Sequence, residues 1–179
     1  MYLMQPDSLL LFDASAIAIA AAIFDVRQRR IPNWLTYPGI VLGMVLRSYF
    51  YGWRGLGSSL AGLAIGGGVF FVLYMLHAMG AGDIKLLAAV GAFAGPAHAL
   101  VVLTATAIAG AVMGIIYALY RGRLTATLRN VGSLASHHLK TGLQEHPELN
   151  LGKDVGLRMP YGLAIATGTL YAFSTLLWR

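Results

Sequence analysis

The chain has 179 residues, of which 58% are hydrophobic and only 11% charged, and its mean hydropathy is +0.68. Soluble domains carry about 25% charged residues, so the composition excludes an ordinary soluble globule and fits one membrane-embedded domain over residues 1–179. The net charge of +6 invokes no nucleic-acid partner, because the basic residues flank apolar runs and report membrane orientation, and the absence of cysteine excludes disulfides, thiolate zinc sites and a cysteine nucleophile.

Residues 1–8 hold no Lys or Arg. They lack the basic n-region of a secretory signal peptide, so the first apolar segment is expected to be kept. A helix is expected over 9–24, with Pro6, Asp7 and Ser8 as start signals. Arg27, Arg29 and Arg30 behind it put that end in the cytoplasm and the N-terminus outside. Ile31-Pro32-Asn33 reads as a turn. A second helix follows over about 34–51, with Trp34 and Tyr37 at one end and Tyr49, Tyr51 and Trp53 at the other as interfacial anchors.

After an outer loop over 52–58, a third segment over 59–79 carries Gly62-xxx-Gly66, Gly67 and Gly68, small residues that let helix backbones approach in lipid. The fourth, 84–94, is only roughly 17 Å long against a hydrocarbon core of about 30 Å. Its ends must be sunk into the protein, or it must kink at Gly95-Pro96. A recessed start at Asp83 would suit a water-filled pocket, because irregular backbone at membrane depth is tolerated where it lines a cavity. The fifth segment covers about 98–120. Gly39-xxx-Gly43 and Gly110-xxx-Gly114 are packing signals first, with homodimer contacts as their other meaning.

Residues 121–158 form a polar cytoplasmic loop. Within it Leu124, Leu128, Val131, Ala135, Leu139 and Leu143 recur near helical spacing, with Arg123, Arg129 and Lys140 between them, as in an interfacial amphipathic helix. A loop over 144–157 follows, and Met159-Pro160-Tyr161-Gly162 opens a sixth segment ending near Trp178. The expected fold is therefore all-α: a polytopic bundle of about six transmembrane helices plus one interfacial helix. This topology leaves only Arg47, Arg54 and Arg179 outside among the Lys and Arg residues, as positive-inside sorting requires.

The chemistry centres on Gly80-Ala81-Gly82-Asp83-Ile84-Lys85, which sets a carboxylate between two long apolar runs. An acid there is a functional-site hypothesis by default. Its partner is Asp25, which closes the first apolar run at the same side of the bilayer. Two neighbouring carboxylates do not both ionise readily, and they titrate as a pair. Such a pair activates a shared water: the ionised Asp takes its proton, the protonated Asp polarises a peptide carbonyl, and the roles reverse as the amine leaves. Which Asp plays which role stays open. The scheme needs no metal and no cofactor, and Gly80 and Gly82 would let an extended peptide backbone approach closely.

Blander readings exist for each residue. Asp83 would serve as a helix N-cap, and Asp25 as an ion-pair partner of Arg27 or Arg29. Lys85 would report orientation and touch phosphate, or else grip substrate. Pro160, Tyr161 and Gly162 would open a helix, or Tyr161 would line the site. His77 reads as a packed or interfacial histidine. Asp13 reads as a solvated interfacial residue about 18 Å along the helix from Asp25. His137, His138 and His146 with Glu145 and Glu148 fit no standard zinc spacing.

Asp25-x-Arg27-x-x-Arg30-Ile31-Pro32-Asn33, followed by Gly80-x-Gly82-Asp83-x-Lys85-Leu86, resembles the type IV prepilin peptidases, in the short form found with tight-adherence (Flp-type) pili. Pro160-Tyr161-Gly162-x-Ala164-Ile165 is similar to a further pattern of that family. The resemblance implies a GxGD aspartic endopeptidase of the bacterial inner membrane that cuts the basic leader from prepilins at the cytoplasmic face. By this resemblance Asp25 and Asp83 match the catalytic positions, and Gly80, Gly82 and Lys85 the surrounding motif, with Pro160, Tyr161 and Gly162 as substrate-binding candidates. Larger bifunctional relatives also methylate the new N-terminus through an added portion with CxxC motifs. This chain lacks cysteine and has only a tight turn after Asp25, so cleavage without methylation is expected. The rivals are a proton-coupled transporter using the acids as relays, and a non-catalytic pilus assembly factor.

Overall fold

The computed structural model describes residues 5–75, 79–122, 124–141 and 159–178. These form five helices: α1 (Pro6–Gln28), α2 (Asn33–Met75), α3 (Ala81–Tyr120), α4 (Leu124–Thr141) and α5 (Gly162–Leu177). No strand occurs among the described residues. Helices α1, α2 and α3 are each long and apolar enough to cross a bilayer, and α5 is a shorter apolar helix. The protein is an all-α integral membrane protein.

Two of the long helices turn back on themselves at a single glycine. Gly52 adopts φ 60°, ψ −143° inside α2, and Gly95 adopts φ 70°, ψ 175° inside α3. Both conformations are open essentially only to glycine, and Pro96 after Gly95 further disfavours a helical residue before it. The packing register shows the reversal. Gly39 lies against Ala89 and Gly43 against Phe93, so 33–51 runs parallel to 81–94. Gly62 lies against Gly91 and Gly66 against Leu87, so 53–75 runs antiparallel to the same segment. Gly110 faces Tyr161 and Gly168 faces Thr106, which sets α5 antiparallel to 96–120. Helix α1 runs antiparallel to both α5 and 33–51: Phe12 meets Phe173 while Asp25 meets Gly162, and Phe24 meets Trp34 while Ile17 meets Gly39.

Several expected boundaries therefore move. The loop expected over 52–58 shrinks to Gly52, because helix resumes at once beyond it. The segment expected over 84–94 starts at Ala81, and the next begins directly after Gly95. The first helix extends on both sides of 9–24, and the last starts at Gly162, not Met159. His77, Glu145, His146 and Glu148, with the rest of the loop expected over 144–157, lie outside the described residues.

Residues 86–95 are buried without interruption, which makes 81–94 the hub of the bundle. It is about 20 Å long, too short to span a bilayer by itself, and its neighbours enclose it. Close enclosure needs small residues. A Cβ on Gly43 would lie 2.9 Å from the Phe93 ring, and Gly62 and Gly91 meet backbone to backbone. Many large apolar side chains, among them Val41, Val45, Phe71, Val72, Ile108 and Ile116, are turned outward, beside a core that keeps Phe93, Leu86 and Leu87. This outward apolar surface follows from a solvent as apolar as the side chains, where close packing drives association. All four glycines of the Gly39 and Gly110 motifs pack within the chain.

The far end of the hub is closed by Arg47, a residue only 8% exposed. Its guanidinium donates to the Phe93 carbonyl at 2.7 Å and to Ser58 Oγ at 3.0 Å, and it pairs with Asp7 at 3.3 Å. Ser59 Oγ donates to the Ala92 carbonyl at 2.8 Å. A cation and one hydroxyl thus serve the carbonyls that a helix C-terminus leaves without partners. In the sequence Arg47 counts only by its side of the bilayer, with no such role.

Among the described residues helix α4 packs on α3 alone. It carries the amphipathic pattern expected from the sequence, with Val131 exposed.

Candidate active site

At the opposite end of the hub two helix termini converge. Helix α1 ends at Arg29, whose backbone is left-handed (φ 52°, ψ 34°) and whose N–H donates to the Asp25 carbonyl at 2.8 Å. This left-handed cap turns the chain sharply. Pro32 then opens α2, its carbonyl accepting from Leu35 at 3.1 Å. The tight turn keeps the start of α2 beside Asp25.

Helix α3 starts from Gly80, the extended N-cap residue, so Asp83 falls in the first turn and is not itself the cap. A carboxylate is favoured there by the unpaired amides and the helix dipole. Its side chain folds back over Gly80, where a Cβ would stand 3.2 Å from Asp83 Oδ2. Gly82 packs on Ile31, with its own missing Cβ 3.2 Å from the Ile31 Cβ. Gly82 therefore lets the first turn of α3 nest against the 29–32 turn, while Gly80 makes room for the Asp83 carboxyl group.

Asp25 and Asp83 line one cavity of about 530 Å³, together with Gln28, Arg29, Arg30, Ile31, Pro32, Asn33, Gly80, Ala81, Gly82 and Lys85. The two carboxyl groups are close enough for the charge of Asp25 to act on Asp83. Asp25 is only 8% exposed. Neither carboxylate has an ion-pair partner among the described residues, so the pairing of Asp25 with Arg27 or Arg29 is not formed. Lys85 Nζ donates to Asn33 Oδ1 at 3.0 Å and lies 5.0 Å from the centre of the Tyr37 ring. Asn33 was quoted in the sequence motif without a role, and its contact across 52 residues of sequence has no local signature.

The third motif divides. Gly162 N–H donates to Asp25 Oδ2 at 2.8 Å. Tyr161 sits on Gly110, its ring centre 6.1 Å from that of Phe70, within electrostatic reach of Asp83. Pro160 supplies the carbonyl that accepts from Leu163 at 3.2 Å. None of the three lines the Asp25–Asp83 cavity. The structure thus brings Gly80, Gly82, Lys85 and both acids to one cavity and sets 160–162 behind it. Asp13 stands farther along α1 and does not reach the cavity. Among the described residues no group of His, Asp and Glu could hold a metal ion. A larger groove of about 780 Å³ between α1 and α2 is walled by apolar side chains and Tyr37, and holds no acid or base suited to hydrolysis.

The model of the type IV leader peptidase family matches residues 13–115, which include both acids of the cavity. The chain is 32% identical over 120 residues to the prepilin leader peptidase/N-methyltransferase of Xanthomonas campestris pv. campestris, covering 63% of this chain and 42% of that protein. Proteins of the same description from Pseudomonas putida and Aeromonas hydrophila are 28% and 33% identical over 116 and 106 residues, covering 40% and 36% of their own lengths. The chain spans about two fifths of the length of these curated relatives. No solved structure is significantly similar to it.

Proposed function

Because the chain belongs to the type IV leader peptidase family, we propose that it is an aspartic endopeptidase in which Asp25 and Asp83 cut the leader from a type IV prepilin. The two carboxyl groups share one proton. The ionised one takes a proton from a water held between them as the water oxygen bonds to the scissile carbonyl carbon. The other donates its proton to the carbonyl oxygen. In the tetrahedral intermediate the C–N bond then breaks, the amine leaves with the proton taken from water, and the hydroxyl returns the other to the pair.

The observation that carries this reading is the shared cavity: two acids from helices that are far apart in sequence, together, with no ion-pair partner for either among the described residues. A purely structural acid in an apolar bundle is expected to be paired. The transporter reading also uses unpaired acids, but it gains no support from membership of a peptidase family.

The finer parts of the proposal follow from the residues around the cavity. Arg27, Arg29 and Arg30 favour the cytoplasmic side for the site and an outside N-terminus, in the inner membrane of a bacterium, with the chain working as one membrane-embedded unit. The tight turn after Asp25 and the lack of cysteine favour cleavage without N-methylation and a prepilin of the tight-adherence (Flp) type. Lys85, held by Asn33, is placed to touch the substrate at the cavity rim.

The test is co-expression with a candidate prepilin, read as the mobility shift of leader removal. Asp25→Asn and Asp83→Asn should each abolish the shift, a loss of about 10⁴-fold or more in rate. Intact processing in both would favour an assembly factor without catalysis, and loss in only one would break the dyad.

A further inference from the structure

One contact to the acids comes from an element outside the proposed reaction. Gly162 is the first residue of α5, and its N–H is among the donors that a helix start leaves without an intrahelical partner. It donates to Asp25 Oδ2 at 2.8 Å in a buried setting, across 137 residues of sequence. The fit around it is tight. A Cβ at 162 would stand 3.0 Å from Asp25 Oδ2, 3.1 Å from Asp25 Cβ and 3.2 Å from Ala22 Cα.

The first turn of α5 is anchored on its other side. The Tyr161 ring fills the notch at Gly110, where a Cβ would meet it at 2.7 Å, and the Tyr161 carbonyl accepts from Ile165 at 3.1 Å. The amide is therefore held against α1 from both directions. A peptide N–H only donates and does not rotate, so the oxygen it faces is kept as an acceptor and the carboxyl plane is fixed.

We infer that the Gly162 amide is a positioning group for Asp25: it occupies Oδ2 and leaves Oδ1 as the atom that exchanges a proton with the attacking water. This rests on the reading of Asp25 as half of the hydrolytic pair. It also moves Gly162 from a contact with substrate to a contact with the catalytic acid. Glycine is required for reach, because any side chain would push the amide away from the oxygen it serves.

The experiment uses the full chain with a prepilin, comparing the parent enzyme, Gly162→Ala and an amide-to-ester replacement at 162, which deletes the donor without adding an atom. Two readouts are taken: the split between kcat and KM, and the infrared band of the Asp25 carboxyl group, identified by its loss in Asp25→Asn. Both variants should lower kcat by about 10- to 100-fold with KM unchanged, as a small displacement of a reacting group does, and both should shift the band. Parental kcat in the ester variant overturns the inference, and so does an unshifted band. A rise in KM alone returns Gly162 to the substrate and overturns it as well. If Gly162→Ala does not fold, the ester decides. If the parent cleaves no prepilin, the proposed function falls, while the infrared comparison still decides the positioning because it needs no substrate.

Discussion

At the scale of single residues, the cavity is held by groups of unequal visibility. Asp25 and Asp83 stand out in the sequence because a carboxylate at the edge of an apolar run is costly and so calls for a reason. Gly162 and Asn33 do not stand out, because a backbone amide and a short polar side chain acquire their roles only from what the fold brings to them. Lys85 and Asn33 meet at 3.0 Å. If they act on substrate as a unit, Asn33→Ala and Lys85→Ala should each raise KM by about 3- to 10-fold with little change in kcat, the range expected for one lost hydrogen bond. Steady-state kinetics of the double variant checks the coupling: it should be no worse than the weaker single variant, whereas fully additive losses would show that the two act separately.

At the scale of elements, the helices were legible because long apolar runs at membrane composition have few alternatives. Their joints were less so. A cluster of Gly52, Trp53, Arg54, Gly55 and Gly57 reads as a loop, yet the structure needs only Gly52 to turn around. Pro96 signalled a break correctly, and the residue before it carries the turn. A Cβ at Gly52 would meet nothing within 4 Å, so Gly52→Ala should cost only the conformational term, about 1–3 kcal/mol. At Gly95 the same substitution also collides with the Arg47 guanidinium and Ser58 Oγ, so Gly95→Ala should be the more destabilising of the two. Unfolding in mild detergent, compared for both variants, checks the order.

At the scale of the whole molecule, the hub over 81–94 links two polar centres. Its start carries Asp83 and its end hydrogen-bonds Arg47. Arg47→Met would leave the buried Phe93 carbonyl without its donor and take the cation from Asp7, a loss of about 1–3 kcal/mol for the unsatisfied carbonyl. Asp7→Asn should cost less, since the guanidinium keeps its hydrogen bond to the Phe93 carbonyl and the Asp7 side chain is 31% exposed. Thermal unfolding of the two variants tests the ranking. Orientation has a direct assay, because the chain has no cysteine to give a background. Gly57→Cys and Gly132→Cys both point into open space. An impermeant thiol reagent applied to intact cells should label the first and reach the second only after permeabilisation, and the opposite pattern would put the cavity on the outer face. The two one-glycine reversals have a further effect on how the protein is met from that side. With no connecting loop at Gly52 or Gly95, the hairpins there turn within one residue, and what stands exposed at the first is the helix ends themselves, Tyr49 and Trp53 among them. A soluble factor meeting the protein from that side would therefore grip rigid helix ends and not a pliable strand of chain.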